Sequence, residues 1–269
     1  QPDTDVTPYV TITAGSRSTY HMGNAVRMAS MKIKTQLFAV AAKALEAKPE
    51  ELVARDGRIF VSGSQESGMS MRDTFLAKFG SLGTTLIGEA IYEPRAVPTD
   101  PETGRSEKCT EYWFPSASAA EVEVDLETGQ IKVLKLVSVG DTGTAINPKF
   151  CQQQLLGAAV TQLGLTLFEE MVFEEGQLLN GSLLDYQIPS VKDLPGHFES
   201  IVVEVPHETG PYGAKGVGET GTLTVSPAIA NAIEDATGLR IRDLPITAEK
   251  LLLGLAEKDQ KNHQVEVSQ

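Results

Sequence analysis

Between Gly210 and Gly221 the chain reads Gly-Pro-Tyr-Gly-Ala-Lys-Gly-Val-Gly-Glu-Thr-Gly. A packed core has no use for glycine at that density, and each one costs backbone entropy on folding, so the loop exists to let something approach its backbone. Its single carboxylate, Glu219, is flanked by small residues. In a closed, poorly solvated pocket, desolvation would raise the pKa of such a carboxyl toward neutrality and make it a usable general base. The alternative is a solvated turn carrying an ordinary surface glutamate. Gly216-Val-Gly-Glu-Thr-Gly221 also matches the G-x-G-x-x-G dinucleotide fingerprint. That motif should follow a strand immediately and open a helix directly. Here the expected strand ends near Pro206 and the expected helix waits for Pro227, so the context is poor.

A second candidate, Thr13-Ala-Gly-Ser-Arg-Ser-Thr19, sets hydroxyls and one arginine just ahead of a helical pattern. Backbone amides with Ser16, Ser18 and the rigid donor fork of Arg17 can hold a phosphate, and a plain capping loop is the alternative. A third polar corner, Asp141-Thr-Gly-Thr-Ala-Ile-Asn-Pro148, lies between a strand and a helix and is ordinary turn chemistry in most chains. None of the four histidines, His21, His197, His207 and His263, has helix-face metal spacing, and no side-chain metal site is expected. Cys151 reads as an inert buried thiol, because no activating partner is visible.

The elements that must position these loops follow from periodicity. Val26, Ala29, Ile33, Leu37, Val40, Ala44 and Leu45 predict a helix from Gly23 to Ala47, stopped before Pro49. Asp56-Gly57 predicts a hairpin of 52–55 with 58–61, and Ser70 a cap for a short helix. The proline- and glycine-rich stretch 94–110 is the expected domain seam. Alternation over 120–125, a turn at 127–129 and an apolar run over 131–139 predict an antiparallel hairpin. Asn147-Pro148 opens a helix to about Phe168, expected to be buried on most faces. A strand at 201–206 and a helix capped at Ser226-Pro227 and stopped at Gly238 complete the series. Helices and strands mix without strict βα alternation, so the fold class is α+β with mixed sheets and two subdomains: 1–110, 111–256, and a frayed polar tail 257–269.

Composition bounds the function. With 269 residues and 41% hydrophobic content the chain can bury a core. Lys plus Arg is 23 against 36 Asp plus Glu, a net charge of −13, which argues against nucleic acid as a partner. The apolar runs are far short of a bilayer span. Two cysteines, Cys109 and Cys151, make neither a disulfide framework nor an iron–sulfur ligand set, and a reducing, cytoplasmic setting is expected. The opening at Gln1, with neither an initiator Met nor a signal-peptide pattern, suggests a removed upstream segment or a piece of a longer subunit.

Taken in order, eight segments resemble the C-terminal half of the molybdenum-binding subunit of the xanthine dehydrogenase and aldehyde oxidoreductase family of molybdenum hydroxylases. They are Asp3-Thr-Asp5; Thr13 to Ser18 with Gly23-Asn-Ala-Val26; Ala120 to Asp125; Asp141-Thr-Gly with Ile146-Asn-Pro148; Gln154-Leu-Leu-Gly157; Asp185 to Pro189; Gly213 to Glu219; and Pro227 to Ile233 with Asp235 to Gly238. The resemblance runs from Asp3 to about Leu252. It implies a molybdopterin, plain or as its cytosine dinucleotide, that holds the metal without a protein ligand. Glu219 falls on the family's catalytic glutamate, which takes a proton from the oxygen nucleophile.

Gly15 and Ser16 fall where backbone approaches the metal centre, Gln154 where a side chain contacts the cofactor, and Gly216, Val217 and Gly218 where backbone lies beside the metal. Arg17 and Ser18 fall where the pterin's phosphate or its nucleotide extension is met. The implied reaction is hydroxylation of a small molecule, an N-heterocycle such as a xanthine-like purine or an aldehyde, with oxygen from water. Electrons pass to iron–sulfur clusters and FAD on partner chains or domains. The implied partners are the N-terminal half of the molybdenum subunit and the iron–sulfur and flavin subunits. Thr220-Gly221 stands where a proline pair often follows the family's glutamate, and Leu163 where a glycine is frequent. Two other functions fit the residues: a nucleotide-dependent dehydrogenase built on the glycine fingerprint, and a non-catalytic assembly module.

Overall fold

The computed structural model describes residues 3–7, 9–10, 12–81 and 85–267, the side chains at 65 and 261–267 excepted. Residues 1, 2, 8, 11 and 82–84 of the expected first portion, and 268–269 of the expected tail, lie outside the described residues. Packing divides the chain into His21–Arg95 and a larger unit joining Gln1–Tyr20 to Ala96–Gln269. The division therefore differs from the expected boundary near residue 110. Residues up to Tyr20 group with the later chain, to which Gly15 is tied by a hydrogen bond spanning 204 positions.

A long helix, α1 (Ser18–Ala44), contributes most of its length to the smaller unit. Its stripe of Leu37, Phe38, Ala41 and Ala42 is buried with Leu52 and Ile59. The helix starts earlier than the expected Gly23 and ends before the expected Ala47. Glu46 takes a left-handed φ of 50° and the Ala47 N–H turns back to the Ala42 carbonyl. As the Asp-Gly turn predicts, β1 (Leu52–Arg55) and β2 (Arg58–Val61) pair antiparallel, and β3 (Ser64–Ser70) adds on the far side of β2. Ser70 caps α2 (Met71–Phe79), its hydroxyl accepting from the Asp73 N–H at 2.9 Å.

The larger unit is built on a hairpin of β4 (Ser116–Val124) with β5 (Ile131–Asp141), paired from Ser116 opposite Gly140 to Val124 opposite Ile131 with a one-residue register shift between Glu121 and Val122. At its turn the Asp125 carboxylate accepts from the N–H groups of Glu127 and Thr128, at 2.9 and 3.1 Å. The chain then forms α3 (Pro148–Leu167), a small hairpin of β6 (Phe173–Glu174) with β7 (Gln177–Leu178), and β8 (His197–Val203). β8 pairs parallel to β5, giving the order β4-β5-β8, with α3 in the crossover. α4 (Val225–Thr237) and α5 (Ala248–Val267) follow. Val133 and Leu136 of β5 meet Ala159, Leu163 and Leu167 of α3, Ile229 and Ile233 of α4, and Leu251 of α5 in one core. This is an α+β architecture with mixed sheets.

Four further expectations differ from the structure. α3 buries one stripe, with Leu155, Ala159 and Leu163 fully enclosed at a spacing of four, while Phe150 and Leu165 are exposed. α4 begins at Val225 without a side-chain cap, because the Ser226 hydroxyl is engaged by the Gln162 amide and by Thr166. The strand expected at 201–206 starts at His197 and ends at Val203, and the tail expected to fray carries α5 on to Val267. No helix among the described residues is long and apolar enough to cross a membrane.

Candidate functional site

Gly15 and Ser16 both take left-handed conformations, at φ of 62° and 54°, and turn the chain into α1 two residues later. For serine that conformation costs energy and persists only where surrounding bonds hold it. Here Ser16 is held at both of its oxygens. Its hydroxyl accepts from the N–H groups of Gly218 and Glu219, at 3.1 and 3.0 Å. Its carbonyl accepts from the Tyr112 phenol at 3.0 Å. The Glu219 carboxylate in turn accepts from the Gly15 N–H through Oε2, at 3.2 Å.

The glycine-rich loop is anchored at its entry by the corner after β5. The Thr144 N–H donates to the Gly213 carbonyl at 2.8 Å, and the Lys215 N–H to the Thr142 carbonyl at 2.9 Å. Beneath them the Lys215 ammonium sits 2.7 Å from the Asp141 carboxylate, both side chains buried. Burial works against ionising Asp141. The Lys215 ammonium and the N–H groups of Gly143 and Val205 outweigh it and hold the carboxyl below the usual range. The third polar corner is thus the dock of the glycine loop. At Gly216 the fit is closest: a Cβ there would lie 1.3 Å from the Ser16 carbonyl oxygen, so only glycine lets the two backbones meet.

Thr13, Ser16, Arg17, Ser18, Gln154 and Val217 to Glu219 line a pocket of about 370 Å³. The structure therefore brings together Ser16, Arg17, Ser18, Gln154, Val217, Gly218 and Glu219 of the predicted residues, with Gly15 on the Glu219 carboxylate and Gly216 buried behind the loop. The Gln154 amide donates to the Gly218 carbonyl at 3.5 Å. Arg17 spans its own turn, donating from Nε and Nη2 to the Ile12 carbonyl at 3.1 and 2.5 Å, and so stiffens the loop it was expected to lend to a phosphate. Glu219 is exposed; the closed surroundings expected for a desolvated base are not built by these residues. The fingerprint hexad abuts neither a strand nor a helix, since β8 ends at Val203 and α4 begins at Val225. Burial pushes the Cys151 thiol up, in keeping with an inert side chain.

Two features of the site escape a reading of the sequence. Tyr112 falls in an irregular stretch and has no local signature. The Asp141–Lys215 pair joins residues whose separate motifs give no sign of contact.

Residues 1–195 match the family described as molybdopterin cofactor-binding domain. The chain is 35% identical to the nicotine 6-hydroxylase large subunit of Paenarthrobacter nicotinovorans over 89% of its own length and 29% of that protein. It is 32% identical to the xanthine dehydrogenase molybdenum-binding subunit of Escherichia coli O157:H7, over 93% of this chain and 32% of the relative. Among solved structures, quinoline 2-oxidoreductase from Pseudomonas putida 86 superposes with a TM-score of 0.79 at 26% identity, covering 91% of this chain and 31% of that one. The chain spans about a third of the length of these relatives.

Proposed function

The chain belongs to the family of molybdopterin cofactor-binding domains, and from that premise we propose that it forms the Glu219-bearing part of a molybdenum hydroxylase. The observation that carries this reading is the Glu219 carboxylate, fixed by the Gly15 N–H at the edge of a pocket that is also lined by the Ser16, Ser18 and Thr19 hydroxyls and the Gln154 amide. The donor set suits a pterin with a phosphate. The pocket wall includes the start of α1, whose first N–H groups have no intrahelical acceptor and carry the positive end of the helix dipole. Ser16, Ser18 and Thr19 hydroxyls and the Gln154 amide add neutral donors that pay little desolvation. In this reading Gly15, Ser16, Arg17, Ser18, Gln154 and the 216–218 backbone would hold the cofactor. When bound, it supplies a two-electron oxidation of carbon with oxygen drawn from water.

The protein's own part is positional and acid–base. The Gly15 N–H occupies Oε2 of Glu219, and among the described residues Oε1 has no partner, which leaves it to receive a proton. The Ser16 hydroxyl fixes the two amides that flank the Gly218 Cα and so sets where that oxygen points. A substrate of the kind named for the similar proteins, an N-heterocycle ahead of an aldehyde, fits this assignment. The reading extends to cytoplasmic partners: the remainder of the molybdenum subunit, and iron–sulfur and FAD-bearing chains that accept the electrons.

Glu219→Gln in the assembled, molybdenum-loaded protein tests the base. Turnover should fall by about 10²–10⁴ with metal content unchanged, the usual worth of a positioned proton acceptor. Undiminished turnover at full molybdenum loading removes Glu219 from the chemistry.

A further inference from the structure

We propose that Tyr112 is the positioning residue of this site: its phenol ties the Ser16 turn to the glycine-rich loop, and through Ser16 it fixes the Glu219 backbone. The proposal rests on the assignment of Glu219 as the base. Three observations lead to it. The phenol oxygen lies between two backbones that are remote in sequence, donating to the Ser16 carbonyl at 3.0 Å and accepting from the Gly216 N–H at 3.2 Å. The bond to the Ser16 carbonyl needs the neutral hydroxyl, and burial pushes the Tyr112 phenol up, keeping it protonated across the physiological range.

The ring itself is held. It stacks on Tyr20 with centroids 4.4 Å apart and meets the His207 ring edge-on at 6.0 Å. Tyr20 is fully buried, and its own hydroxyl is bonded to Thr209. The phenol is therefore presented from a rigid aromatic base.

The third observation is the energy of what it holds. Ser16 sits at φ 54°, and its hydroxyl is the acceptor for both Gly218 and Glu219. Without the bond to its carbonyl, the turn can relax toward an ordinary backbone conformation and carry that acceptor away. Gly216 is buried, so its N–H would also be stranded without an acceptor. Tyr112 thus reaches the Glu219 backbone through one intermediary residue, Ser16.

Tyr112→Phe keeps the stacked ring and deletes only the hydroxyl. In the assembled, cofactor-loaded protein, amide hydrogen exchange over 213–221 should accelerate about tenfold, the effect of losing one net hydrogen bond. Exchange in β4 and β5 should stay unchanged, showing that the unit is folded. Turnover should fall about tenfold or more with KM held within about a factor of two, as misplacement of a group acting after binding predicts. Ser16→Ala, which keeps the carbonyl bond but removes the hydroxyl acceptor, should accelerate exchange at the Gly218 and Glu219 amides. Unchanged loop exchange in Tyr112→Phe, or a rise confined to KM, overturns the proposal. If the exchange pattern appears while Glu219→Gln retains full turnover, the tie stands as a structural bond, and the catalytic assignment beneath it is what fails.

Discussion

Asp141 and Lys215 are the clearest case of single residues deciding the state of the site. Their charges face each other at 2.7 Å with 10% and 7% of the side chains exposed, and Asp141 also accepts from the Gly143 and Val205 N–H groups. Lys215→Met would leave that carboxylate buried with no cation, and should cost about 3–5 kcal/mol in urea unfolding. The pH dependence has a fixed sign. A carboxyl held below its unfolded value of about 3.9 stabilises the native state fully above that pH. The contribution is lost as pH falls through the lower native value. Thermal melts below pH 4 should therefore show an acid-side loss of stability that flattens in Asp141→Asn, while the wild-type curve is level with respect to this group toward neutrality.

At the scale of elements, α3 shows how one helix serves both core and pocket. Leu155, Ala159 and Leu163 point into the sheet, while Gln154, one position before the stripe, lies on the pocket side. The helix is started by Asn147, whose side chain accepts from the Phe150 N–H at 3.1 Å. Asn147→Ala should cost about 1 kcal/mol in chemical unfolding and leave the β4–β5 hairpin intact. The same element marks where local sequence signals end. The Asn-Pro start, the Asp-Gly hairpin and the alternation of β4 are written in neighbouring residues, and the structure follows them. The cap at Ser226 was equally well written and lost, because a hydroxyl that finds Gln162 and Thr166 across the core gains more than one capping its own helix. Glu219 and the Ser16 turn could be read from glycine density and hydroxyl clustering. Tyr112 could not, since its bonds reach residues 96 and 104 positions away and depend on tertiary placement alone.

For the whole molecule, the share of the relatives that this chain covers matters alongside its own surface. Leu183, Leu184 and Val191 are 78%, 89% and 85% exposed in one stretch that also includes Ile188. We read this run of exposed apolar side chains as a surface that the proposed assembly would cover. Together with the exposed Glu219, this leads us to expect that the chain alone retains no stoichiometric molybdenum, while the assembly proposed above holds about one metal per copy. Elemental analysis of both preparations checks it, and full loading of the lone chain would show that the pocket described here is self-sufficient.

The hydrogen bond from Gly15 to Glu219 closes a stretch of 204 residues. Closing a loop of that size is entropically costly and is repaid only after the intervening helices and strands have formed. On a ribosome the Ser16 turn emerges well before the glycine loop and must wait for that loop to be synthesised and docked on the corner after β5. The pocket is thus completed only once both ends of that span are in place. A cofactor that arrives before the glycine loop has docked would meet only part of this lining, so loading follows the docking of that loop.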